Sequence, residues 1–161
     1  KDALARARAE AAAAVKAAKS KKAKKAAEGA EQTINKVDWS SDKTTFVKKW
    51  TGRINDYLSG TALSGYGSNF AAAAWDYGVD PRFAPAISYT ESGCGAHCFH
   101  SHNAWGWGTS SWSDWPTAIN SYTQGLARGY GYTITMAAAR KYCATDPSSW
   151  YRTTLAQMRR I

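Results

Sequence analysis

Apolar residues recur at helical spacing along most of the chain from Trp39 onward. Phe46, Val47, Trp50, Ile54, Tyr57 and Leu58 mark one side of an amphipathic helix. Ser40, Ser41 and Asp42 precede it as N-cap candidates, and it ends near Gly60. Gly65-Tyr66-Gly67 is a break. An alanine-rich helix follows from Phe70 to Tyr77, with Gly78 at its C-cap. Asp80-Pro81 opens the next helix, with proline in its first turn, and Phe83, Ala86, Ile87 and Thr90 lead towards Glu91. Residues 92–112 carry glycines, histidines, serines and tryptophans with no helical period and read as loop. Helices resume at Ser113-Asp114-Trp115-Pro116, running through Leu126, then from Thr133 or Thr135 through Tyr142, and after Pro147-Ser148-Ser149 to Met158. No alternating apolar and polar run argues for a substantial sheet, so the predicted class is mainly α.

The first 36 residues differ sharply. They are rich in Ala and Lys, lack Trp, Tyr, Phe and Pro, and contain Gly29 as their one glycine. Such residues favour a long helix, but Leu4, Val15 and Ile34 are too widely spaced for a heptad seam. The predicted organisation is therefore a solvated helical spacer, or the end of a coiled segment, over residues 1–38, and a folded helical domain over 39–161.

The charge follows this division. The chain has 21 Lys and Arg against 12 Asp and Glu, a formal net charge of +9. Residues 1–38 hold ten Lys/Arg and five Asp/Glu (+5); the remainder holds eleven and seven (+4). A basic balance suits polyanionic partners, but more than half of it lies outside the domain, so no nucleic-acid partner is expected. Lys19-Ser20-Lys21-Lys22-Ala23-Lys24-Lys25 is a candidate contact for an anionic cell-wall or membrane surface, against the plainer reading of a solvated face. No apolar run approaches the ~18 residues of a membrane span. The chain starts at Lys1, which fits a fragment of a longer secreted protein.

Glu91 is the only glutamate after Glu31, and it stands where a helix runs into the glycine-rich loop. A carboxyl in apolar surroundings stays protonated closer to neutral pH, and aromatic residues nearby offer faces on which sugar rings stack. The expected pKa of Glu91 is well above the ordinary glutamate value, through desolvation by the tryptophan-rich segments. No second carboxylate stands out. Asp114 and Asp146 sit at helix starts, where capping explains them, and Asp76 and Asp80 flank the preceding helix. Glycoside hydrolysis ordinarily uses two carboxylates, so a lone one favours a single-carboxylate mechanism in which the same group serves first as acid and then as base.

The three cysteines leave several states open. Cys98–Cys143 or Cys94–Cys98 disulfides, free thiols, and a metal site with His97, His100 and His102 all remain, although the spacing matches no familiar zinc pattern. No metal or cofactor is expected. A disulfide would point away from the reducing cytosol.

Tyr77-Gly78-Val79-Asp80-Pro81, the helix to Glu91-Ser92-Gly93, Asn103-Ala104-Trp105-Gly106-Trp107-Gly108 and Trp115-Pro116-Thr117-Ala118-Ile119 together resemble the bacterial glucosaminidase-type peptidoglycan hydrolases. The order is also similar to that of lytic transglycosylases and goose-type lysozymes. The likeness spans about residues 66–160. It implies a lysozyme-like helical domain that cleaves β-1,4 bonds of cell-wall glycan strands, outside the cell or at the wall. Glu91 matches the general acid, and Ser92 follows it, supporting the helix end or the sugar. Asn103 matches a substrate-contacting loop asparagine, and Trp105 and Trp107 stand where that loop lines the cleft. Tyr130 or Tyr132 is the nearest match to a late cleft tyrosine. The resemblance also favours Cys98 over Cys94 as the partner of Cys143. Each position has a plainer use: core packing for the tryptophans, a backbone-satisfying turn for Asn103, packing for the tyrosines. Lytic transglycosylation and non-catalytic glycan binding are the alternatives to hydrolysis.

Overall fold

A computed structural model describes residues 10–15 and 34–161. Residues 10–15 are helical; the rest of the expected N-terminal helix, including the Lys19–Lys25 cluster, lies outside the described residues. Six helices follow: α1 Lys43–Leu58, α2 Gly67–Tyr77, α3 Phe83–Ser92, α4 Trp115–Gly129, α5 Met136–Tyr142 and α6 Pro147–Met158. The described residues contain no strand, and the protein is mainly α.

The caps explain where the helices begin. Asp42, Asp114, Thr135 and Asp146 each accept a hydrogen bond from the backbone N–H three residues on, closing the first turns of α1, α4, α5 and α6. Pro116 and Pro147 occupy first-turn positions, where a missing N–H costs nothing. Three starts differ from expectation: α2 begins at Gly67 and α6 at Pro147, each ahead of the expected first turn, and α3 begins late. Asp80-Pro81 does not open α3; Asp80 accepts from the Arg82 backbone N–H at 3.0 Å and forms a buried ion pair with its guanidinium at 2.7 Å. These bonds hold residues 80–82 in a turn, and α3 begins at Phe83. Packing also reaches back before Trp39. Arg82 Nη2 donates to the Asn35 carbonyl at 2.7 Å, and Ile34 and Val37 lie against the core.

α1 buries Phe46, Trp50, Ile54 and Leu58, one residue per turn. Its partner α2 is narrow because of its alanines. At the start of α2, a Cβ on Gly67 would lie 2.6 Å from the Thr51 carbonyl, so the two helices meet at backbone distance. α3 is the central element. Phe83 through Ser88 are all buried, and α3 packs against α6 and α4. It ends at Gly93, whose φ of 62° is left-handed and open to glycine at little cost. Glu91 therefore sits in the last turn of a rigid, enclosed helix.

Candidate functional site

The loop from Gly93 to Asp114 folds back over the end of α3. Ser92, nearly buried, donates from its hydroxyl to the Ala104 carbonyl at 2.6 Å and accepts from the Gly95 N–H at 2.9 Å. Asn103 is buried too. Its Nδ2 donates to the carbonyls of Trp107 (3.1 Å) and Ser110 (3.0 Å), and its Oδ1 accepts from the Trp107 N–H at 3.0 Å. Both side chains are thus committed to holding the loop. They border a cleft of about 300 Å³ that Glu91, Gly106 and Gly108 also line. Its outer edge is formed by His97, Phe99 and His100, and Phe99 is fully exposed there.

Glu91 has one side open to the cleft and the other against protein. Trp150, on α6, donates its indole N–H to Oε1 at 2.9 Å. Desolvation raises the carboxyl's pKa above the ordinary value, and the Trp150 hydrogen bond pulls partly the other way. More than a third of the residue's surface is exposed, so the effect is that of a half-solvated group. The upward direction agrees with the sequence reading, but the tryptophan touching the carboxyl comes from the C-terminal helix. On the cleft side Gly106 lies so close that a Cβ there would come within 2.8 Å of Oε2. Among the described residues, Glu91 is the one carboxylate lining this cleft.

The expected aromatic wall is arranged differently. Trp105 has no exposed surface and belongs to the core. Its Nε1 donates to the Ala84 carbonyl at 2.9 Å, and its ring stacks on Tyr122 with centroids 4.3 Å apart. Trp107 is half-buried on α4, with Gly125 beneath it and Tyr122 and Tyr130 beside it. Tyr130 packs between Trp107 and Tyr142. Tyr132 is half-buried, and its carbonyl accepts from the Asp80 N–H at 2.7 Å. None of these four lines the cleft at Glu91. An aperiodic loop gives no sign of which tryptophan points inward, and here the core took Trp105.

The expected disulfide is not formed. Cys94, Cys98 and Cys143 are all free thiols. Cys98 turns back to the Gly95 carbonyl at 3.5 Å, while Cys143 faces the Thr145 hydroxyl at 3.6 Å. Cys94 is buried, and desolvation raises its pKa and that of Cys98.

Sequence reasoning missed Trp150, Tyr142 and Phe99. Tyr142 stacks on Trp150 with centroids 4.8 Å apart and planes 22° apart. Its hydroxyl donates to the Trp105 carbonyl at 2.6 Å. No local pattern marks either residue, since Trp150 reaches Glu91 across 59 positions. Phe99 could have been flagged as an apolar residue in a polar loop.

Compared with known proteins, the chain matches no family model, no curated protein and no solved structure.

Proposed function

We propose that this chain is a lysozyme-like peptidoglycan hydrolase that cleaves β-1,4 glycosidic bonds of bacterial cell-wall glycan strands, with Glu91 as general acid and base. The observation that carries the reading is the state of Glu91: a single carboxyl, desolvated on one side and held by an indole N–H, opening on the other side into a cleft. A group that keeps its proton nearer neutrality is suited to protonating a leaving oxygen. Phe99 on the rim offers an apolar face to a sugar ring.

With no second carboxylate among the described residues lining the cleft, the substrate supplies the other group. Glu91 gives its proton to the glycosidic oxygen as the C1–O bond breaks. The acetamide carbonyl oxygen of the same sugar bonds to C1 and carries the developing charge. The Glu91 carboxylate then takes a proton from water as the water oxygen attacks C1 and the acetamide is released. If the sugar's own C6 hydroxyl replaces water, the product is a 1,6-anhydro sugar, as in lytic transglycosylases. The site of action is extracellular or at the wall, a placement that rests on the substrate and not on a disulfide.

Purified peptidoglycan is digested with the wild-type protein and with Glu91→Gln, and the soluble fragments are weighed by mass spectrometry. The expected result is release of fragments with reducing-end sugars, reduced at least 100-fold in the variant. Fragments lighter by one water identify the transglycosylase. Glycan binding without release by either protein overturns the enzymatic reading in favour of a wall-binding module.

A further inference from the structure

We propose that Trp150 is a positioning residue for Glu91, fixing Oε1 as an acceptor so that the acidic proton resides on Oε2, on the Gly106 side of the cleft. The inference rests on the reading of Glu91 as the acid, and it assigns which of its oxygens does the work.

An indole N–H donates and cannot accept. A protonated carboxyl has one carbonyl oxygen and one hydroxyl, and the carbonyl oxygen is the better acceptor. A donor 2.9 Å from Oε1 therefore selects the protonation state with the hydrogen on Oε2. Oε2 is the oxygen against Gly106, which has no side chain and is itself exposed to the cleft. The proton is thus presented on the Gly106 side, among the residues that line the cleft.

Trp150 can hold this geometry because it is held. It is 5% exposed and lies flat on Tyr142, whose hydroxyl is spent on the Trp105 carbonyl. Tyr122 then donates to the Tyr142 oxygen at 3.0 Å, and the Tyr122 ring stacks on Trp105. Aromatic residues of α4, α5, α6 and the loop thus brace one N–H aimed at one oxygen. The other titratable groups around Glu91 are these two tyrosines and, across the cleft, His97 and His100. Desolvation pushes both tyrosine pKa values well up, so both tyrosines stay neutral in the working range.

The test removes the N–H alone. Benzothienylalanine at position 150 keeps the shape of the indole with sulfur in place of N–H, and Trp150→Phe is the encodable second variant. The Glu91 carboxyl is followed by 13C NMR in the free protein, its signal assigned by its absence in Glu91→Gln, and kcat and KM are measured against pH on soluble glycan. Loss of a donor to the carboxylate moves the Glu91 titration midpoint upward, and the alkaline limb of the kcat profile moves with it. The value of kcat falls about tenfold, the worth of one hydrogen bond, with KM unchanged. A folded isostere variant with wild-type titration and wild-type kcat overturns the proposal. If the wild type cleaves nothing, the proposed function fails, whereas an upward shift of the midpoint still supports Trp150 as the donor that positions the carboxyl.

Discussion

Gly106→Ala is a one-methyl perturbation that separates strain from chemistry. The added Cβ would lie 2.8 Å from Glu91 Oε2 and 3.5 Å from its Cδ, so the carboxyl must withdraw by roughly half an ångström to reach ordinary contact. Trp150 holds the other oxygen at 2.9 Å, and the withdrawal loosens that bond at a cost of about 1 kcal/mol. Gly106 also has φ of 61°, where an alanine costs a further ~1 kcal/mol. Together these predict about 2 kcal/mol of destabilisation, or a Tm lower by roughly 8 °C for a domain of this size. The catalytic effect should be larger in proportion, because a reacting atom displaced by a fraction of an ångström loses alignment. Fragment release should fall at least tenfold at a temperature well below the variant's Tm. Gly60→Ala, away from the cleft, is the control: its φ is 77°, but its Cβ would meet nothing within 4 Å. It should share the backbone strain and keep its activity within a few-fold. Equal activities of both variants and the wild type, or equal losses in both, would refute the argument that Gly106 makes room for the acid.

Trp105→Phe should act on stability and not on binding, because the ring is fully buried and leaves the Ala84 carbonyl without its donor; about 2–3 kcal/mol is expected, read as a Tm loss near 10 °C with KM unchanged. For Glu91 the sign of the linkage is set by a raised folded-state pKa: its contribution to stability is complete below the unfolded-state value and is lost as pH rises through the folded-state value. Glu91→Gln cannot ionise, so its Tm relative to wild type should rise from about pH 4 to pH 8, by less than ~1 kcal/mol given the solvent on the cleft side; a difference independent of pH would contradict the desolvation. Reductant should leave the wild-type Tm unchanged, since all three thiols are free, and a Tm that falls on reduction would show that a disulfide forms after all.

What could be read from the chain was local. Asp42, Asp114 and Thr135 were visible as caps because an N-cap acts within three residues, and Gly78 because a left-handed C-cap is a property of one residue. Glu91 stood out through its isolation and its place at a helix end. The contacts that define its surroundings were not visible, since Trp150 and Tyr142 arrive from helices far along the chain. The distribution of tryptophans between core and surface was equally hidden. Trp105 and Trp107 share one short motif, yet the former fills the centre and the latter lies half-exposed on α4. Pro81 misled because proline serves a turn as readily as a first helical turn, and the Asp80–Arg82 ion pair decided for the turn.

The position of Glu91 in the last turn of α3 has one more consequence. Peptide dipoles add along a helix to leave partial negative charge at its C-terminus, where a cation is favoured and an anion is repelled by ~0.3–1 kcal/mol. No basic residue occupies that turn. The backbone field thus acts in the same sense as desolvation, and the helix is under least electrostatic tension when Glu91 is uncharged. In the proposed reaction, donating the proton leaves a negative charge at the negative end of this helix, and taking a proton back removes that tension. The backbone would thereby favour return of the acid to its starting state in each cycle of the proposed reaction.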